Sequence, residues 1–335
     1  MFVLTQRRFE QNVQRPISFS ALGDGNVSSG TLPAATEARR SRTDAGRTAL
    51  ERAIVQTVAY ADVFDYPLTA DEIQRYLVGV SASRGTVRGV LSNGLPKPLV
   101  RSGRYFSLAG RAASIETRKL RAASAADYWR RAVHYARRMS YLPFVRMIAV
   151  TGALAMDNNA DGDIDYLVIT EPGRLWLCRA MIVGLVKLAA ARGTELCPNY
   201  FLSEQAMVLE ERNLFTAHEV TQMVPLTGMA TYQQLRSLNR WTDEFLPNAS
   251  AAPRRQTVVE PGRQRARRLV EGTLRTRVCS PLERWEMNRK MRKLSSRGNG
   301  HAEAAFGPDW CKGHFGDHGQ ATLARYAERL ESLGV

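Results

Sequence analysis

The stretch that most restricts how this chain can fold is "FVRMIAVTGALAMDNNADGDIDYLVIT", residues 144–170. Apolar runs rich in β-branched residues stand at its two ends. Each is too short for a helix of ordinary length, so they read as two buried strands. A polar loop opened by Gly152 separates them, and at its far end Asp163 and Asp165 stand one residue apart at the mouth of the second strand. In a strand, residues i and i+2 point to the same side. The two carboxylates are therefore expected to project together while Ile164 and Tyr166 face the other way.

Helices and strands alternate around this pair. A long amphipathic helix over about 112–140, with Leu120, Tyr128, Trp129, Val133 and Ala136 on its apolar stripe, precedes the first strand. A buried helix from about Gly173, a strand "NYFLSE" and helices near 217–223 and 231–245 follow the second. Residues 112–248 are thus expected to form an α+β domain on a mixed or largely parallel sheet, with a basic helical region over 249–335. The most apolar helix, residues 175–191, is interrupted by Arg179 and Lys187. It falls short of the roughly 18 to 20 uninterrupted apolar residues of a membrane span, so no transmembrane segment is expected. The opening "MFVLTQRRFEQNVQRP" lacks an apolar signal core, and the four cysteines form no CxxC pair, which together predict a cytoplasmic protein with reduced thiols.

Residues 1–48 are rich in Gly, Ser, Thr, Ala and Arg with little periodicity, and read as a disordered tail. Over 49–111 the pattern is three helices and a hairpin. A helix from Thr48 ends near "FDYP", and a second begins at Thr69, where Glu72 completes a capping box. A third spans about 83–91, and the strands around Ser102 and Gly103 follow it. This is the element order of a winged helix-turn-helix, with Arg84 and Arg88 on the third helix and Arg101, Arg104 and Arg111 flanking the wing.

The formal charge is +15, and arginines account for 41 of the 47 basic residues. The excess is concentrated: residues 254–297 hold fourteen Lys or Arg against four Glu. Such a surplus favours phosphate-rich partners because each neutralised phosphate releases counterions, although a solvated arginine-rich face is the alternative. Nucleic acid is the expected macromolecular partner, through Arg84, Arg88, Arg101, Arg104 and the basic 254–297 region.

Two carboxylates on one strand face repel unless cations lie between them. Mg²⁺ suits such a site because it prefers carboxylate and phosphate oxygens, and a pair of Mg²⁺ ions can stabilise both oxygens of a phosphoryl transfer. Gly152 lets the chain turn sharply and brings backbone N–H groups close to phosphates. As a calcium loop, "DNNADGD" lacks the Glu that an EF-hand requires. Cys311, His314, Asp317 and His318 are close in sequence but match no zinc spacing, and read as a cap and a partly buried turn.

Taken together, the apolar strand, the glycine turn, the Asp-x-Asp and the second apolar run resemble the signature of the DNA polymerase β-like nucleotidyltransferase superfamily, over residues 145 to about 203. The resemblance implies a nucleotidyltransferase core in which Asp163 and Asp165 are catalytic ligands of Mg²⁺, in a two-ion site that holds an NTP. It makes Gly152 the glycine of the phosphate loop, beside the Ala153 N–H. The implied activity is transfer of a nucleotidyl group to an acceptor hydroxyl, nucleic acid being one acceptor class. The alternative is a catalytically degenerate fold acting as a nucleic-acid- or protein-binding scaffold. Three positions depart from the pattern: Ala153 replaces Ser or Gly, Gly162 replaces a frequent Ser, and Asn199 falls where a third carboxylate activates the acceptor. An amide cannot serve as a general base. Glu195 and Glu204 are the nearby carboxylates in sequence, and strand alternation turns Glu204 to the face opposite Asn199.

Overall fold

The computed structural model describes residues 32–159, 162–250, 264–275, 279–295, 306–312 and 318–335. The chain divides into two compact units, Met1–Ala45 and Gly46–Val335, and the candidate site lies in the second. Helix α1 (Leu32–Asp62) begins well before Thr48. The stretch "LPAATEARRSRTDAGR" holds enough Ala, Glu and Arg to favour helix despite its Ser and Thr, so the tail assignment overreached into residues 32–48. Residues 1–31 lie outside the described residues.

Strand β1 (Leu68–Thr69), α2 (Ala70–Arg75), α3 (Arg84–Ser92), β2 (Leu99–Ser102) and β3 (Tyr105–Leu108) follow α1. The strands form an antiparallel sheet in the order β1-β3-β2, with Leu68 opposite Phe106 and Ser102 opposite Tyr105. Thr69 caps α2 as its sequence predicts: its hydroxyl accepts from the Glu72 N–H (3.3 Å), and its own N–H donates to Glu72 Oε2 (2.9 Å). Glu72 also receives both terminal nitrogens of Arg118 at 2.9 and 2.8 Å, inside the protein. Ile54, Val58, Ile73, Leu77, Val87 and Leu91 fill the core between these helices. Arg111 follows the hairpin, its N–H donating to the Leu108 carbonyl (3.1 Å), but its side chain turns away from the wing. It pairs with Asp62 and Asp65 at the end of α1, because the chain turns back there after β3.

The second part is built on α4 (Ala113–Ser140), β4 (Val145–Val150), α5 (Gly152–Ala155), β5 (Ile164–Thr170), α6 (Leu175–Ala190), β6 (Leu196–Ser203), α7 (Leu214–Gln222), β7 (Val224–Thr227), α8 (Met229–Leu238) and α9 (Thr242–Phe245). Beyond a 3-10 turn at Pro247–Ser250 come α10 (Gln264–Leu274), α11 (Cys279–Ser295), β8 (Trp310–Lys312) and α12 (His318–Leu333). Five strands lie in the order β7-β4-β5-β6-β8. Only β5 and β6 run parallel, so the sheet is mixed and not largely parallel. The two edge strands are absent from the sequence reading. Strand β7 contains Pro225, which an edge tolerates because the missing N–H would face away from the sheet, and β8 is three residues long.

Alternation sorts the sheet's side chains. Ile148, Val150, Ile164, Tyr166 and Val168 pack toward α4 and α6, while Met147, Ala149, Leu167 and Ile169 pack toward α7 and α8. Of the residues expected on the apolar stripe of α4, Trp129 and Ala136 are buried, together with Ala132 and Met139, whereas Leu120 is 73% exposed. The C-terminal helices are tied on by carboxylates. Glu271 accepts from the Phe144 N–H (2.7 Å), and Glu283 accepts from the N–H groups of Trp176 (2.7 Å) and Leu177 (2.8 Å), capping α6, whose own N-cap residue makes no side-chain cap. Arg267 and Arg275 pair with Glu271 and Glu171, and Arg289 with Glu286, so part of the basic surplus is neutralised within the protein. Arg254, Arg255, Arg263, Arg277 and Arg297 lie outside the described residues. No helix among the described residues is long and apolar enough to cross a membrane.

Candidate metal and nucleotide site

Strand β4 ends at Val150, and the Thr151 N–H donates to the Asp165 carbonyl (3.1 Å), which draws the start of the loop across the mouth of β5. Gly152 follows with φ +63°, in the left-handed region. A Cβ built there would lie 2.3 Å from Asp165 Oδ2. Any side chain at 152 would thus enter the Asp165 carboxylate as well as strain the backbone.

Successive residues then anchor the loop. The Met156 carbonyl accepts from the Tyr66 hydroxyl (2.8 Å), and the Asp157 carboxylate accepts from the indole N–H of Trp129 (2.7 Å). Asn158 donates to the Phe64 carbonyl (3.1 Å) and accepts from Arg121 (3.2 Å). Asn159 folds the loop onto itself: its amide donates to the Asp163 carbonyl (2.9 Å) and its oxygen accepts from the Gly162 N–H (3.1 Å). Gly162 has φ +83°, and a Cβ there would press within 3.2 Å of the Tyr128 hydroxyl, so a glycine suits this position better than the serine of the resemblance. Residues 160 and 161, including Asp161, lie outside the described residues.

Asp163 stands just before β5 and Asp165 within it, both half-buried, and Cys197 on β6 is paired opposite Asp165. Ligand atoms of these three side chains lie within 4.8 Å of one another. Between the pairs Asp165–Cys197 and Leu167–Tyr200, β6 carries one more residue than β5, and Asn199 falls in that bulge. Its amide nitrogen donates to Asp165 Oδ1, while its oxygen accepts from the Cys197 thiol (2.7 Å). Burial, then the charges of Asp165 and Asp163, push the Cys197 thiol up to about 11, so at neutral pH it is protonated and donates. Among the described residues no further carboxylate or imidazole joins the group. Glu195 is exposed, and Glu204 lies under the influence of Arg146 and Glu171.

The donor set fits a hard divalent ion. Two carboxylates offer oxygen to such an ion, and Gly152 puts no side chain of its own between the loop backbone and the Asp165 carboxylate. Ala153, next in α5, is exposed. Sequence reasoning placed Asp163, Asp165, Gly152 and Asn199 together, and the structure brings them together. It passed over Cys197, whose bond to Asn199 depends on the bulge in β6.

The basic residues of the first sheet partly converge. Arg88, Arg101 and Arg104 line one cavity of about 460 Å³ beside Asp71 and Phe106, whereas Arg84 borders a different one, near Arg75 and Asn248. Arg88 is paired with Asp71 (2.9 Å). Arg101 and Arg104 lie over the rings of Phe106 and Tyr105, at 5.7 and 5.0 Å from their centres. Cys311 is buried in β8 opposite Phe201 and His318 is exposed at the start of α12, while His314 and Asp317 lie outside the described residues. Comparison with family models, curated proteins and solved structures gives no match for this chain.

Proposed function

We propose that the chain is an Mg²⁺-dependent nucleotidyltransferase, its α+β core of the polymerase β-like kind and its first sheet a winged helix-turn-helix. The observation that carries this reading is the close approach of Gly152 to Asp165, with Asp163 beside it. Asp163 and Asp165 would hold Mg²⁺, and the N–H groups of Gly152 and Ala153 would face the triphosphate. When bound, the ion supplies charge neutralisation for the phosphates. In the reaction the acceptor oxygen bonds to the α-phosphorus, the bond from that phosphorus to the bridging oxygen breaks, pyrophosphate leaves and the acceptor proton passes to solvent. The fixed loop, tied at Met156, Asp157, Asn158 and Asn159, holds the two carboxylates before the nucleotide arrives. Calorimetric titration of each NTP with Mg²⁺ into the wild type and into Asp163→Asn/Asp165→Asn tests the reading, which requires binding to the wild type alone.

A second reading is favoured by the cavity that Arg88, Arg101 and Arg104 share. In it the same fold is a scaffold, and this basic cavity takes nucleic-acid phosphates. In the first reading that surface would instead present a nucleic-acid acceptor to the site.

A further inference from the structure

We infer that the site takes one divalent ion and not two, and that Asn199 is the positioning residue that makes it so. This rests on the nucleotide reading above and deepens it.

A carboxylate can only accept hydrogen bonds, so the end of Asn199 that meets Asp165 is its NH₂ group. That fixes the other end. The carbonyl oxygen is the one atom of Asn199 able to ligate a metal, and it is turned to Cys197, whose thiol donates to it at 2.7 Å. Asn199 therefore offers Asp165 a donor at the place where a third acidic side chain would offer a ligand oxygen. The hydrogen bond engages Oδ1 of Asp165, one of the two oxygens that this carboxylate has to offer.

Charge points the same way. The two carboxylates balance one divalent ion, and among the described residues the group beside them is a neutral amide, with no further carboxylate to offset a second. Asn199 is also hard to displace. It lies in the bulge of β6, a strand paired on one side to β5 and on the other to β8. Cys197 holds it from two residues away on the same strand. The relay from Cys197 through Asn199 to Asp165 thus presets one carboxylate for a single ion bound with its nucleotide.

The test counts ions and not turnover. Mn²⁺ is titrated, by electron paramagnetic resonance, into the full chain with each of the four α,β-methylene NTP analogues, which cannot be cleaved at the α-phosphorus. The expected result is one ion per chain in the wild type and two in Asn199→Asp. A residue with only a structural role would not change the count. Two ions in the wild type, or one in a folded Asn199→Asp, would overturn the inference and leave the nucleotide reading standing. If Asn199→Asp does not fold, the wild-type count alone decides. Absence of both Mn²⁺ and analogue from the wild type would overturn the nucleotide reading, and this inference with it.

Discussion

Gly152 is the residue on which the site's shape depends most directly. Its φ of +63° and the 2.3 Å between a Cβ built there and Asp165 Oδ2 are separate obstacles to any other residue. Gly152→Ala is expected to lose about 1–3 kcal/mol of stability from the left-handed backbone alone. It should also lose nucleotide binding by displacing the Asp165 carboxylate. Urea unfolding and nucleotide titration on the same sample check both, and an unchanged affinity would separate Gly152 from the site. Much at this scale was legible beforehand. A glycine at the end of an apolar strand, and two aspartates at alternate positions of the next, carry their geometry in their spacing. Cys197 was not legible, because its role depends on a bulge that places an extra residue in β6. No local signal in "LCPNYFLS" fixes where that residue is inserted.

Capping chemistry and alternation made most elements readable: Thr69 with Glu72 starts α2, and the turn at Ser102 and Gly103 closes β2 onto β3. The elements that escaped are held by partners distant in sequence. Strand β8 exists because β6 offers it an edge, with the Ser203 N–H donating to the Asp309 carbonyl (2.8 Å) and the Ser203 hydroxyl to the Asp309 carboxylate (2.5 Å). Strand β7 carries a proline that argues against a strand anywhere but at an edge. The hairpin and α3 make their own prediction. If Arg88, Arg101 and Arg104 bind phosphates, replacing all three with Ala should weaken nucleic-acid binding and lower its log–log salt slope by about 2 to 3. The expected effect is the same across sequences, because guanidinium contacts to phosphate carry no base information. Fluorescence anisotropy with single- and double-stranded DNA and RNA at several salt concentrations measures this, and an unaltered slope would remove these arginines from the interface.

Between Gly46 and Val335, the helices of the first sheet share one core with helices of the second part. Ile54, Val58 and Leu77 pack in the same cluster as Ala217, Trp241, Tyr326 and Leu330. His218 lies in that shared core, stacked on Tyr60 with ring centres 4.0 Å apart and near Tyr76. Burial lowers its imidazole from 6.5 to about 4, only partly offset by its hydrogen bond to the Leu214 carbonyl. The folded state thus binds this proton less readily than the unfolded chain. Its share of stability is intact above pH 6.5 and is lost as pH falls from 6.5 toward 4, amounting to about 2–3 kcal/mol by pH 4.5. Glu219, which burial raises to about 7, acts with the opposite sign but equally in wild type and variant. His218→Phe, which keeps a ring on Tyr60, should gain that amount relative to wild type between pH 7 and pH 4.5 in urea unfolding. A constant difference between the two proteins would count against it. The same shared core joins α1, whose end anchors Asn158 through the Phe64 carbonyl, to the loop that presents Asp163 and Asp165. The most direct test of what that loop is for is calorimetric titration of each NTP with Mg²⁺. The account predicts saturable binding of at least one NTP to the wild type and none to folded Asp163→Asn/Asp165→Asn. Equal binding to both proteins, or to neither, would contradict it.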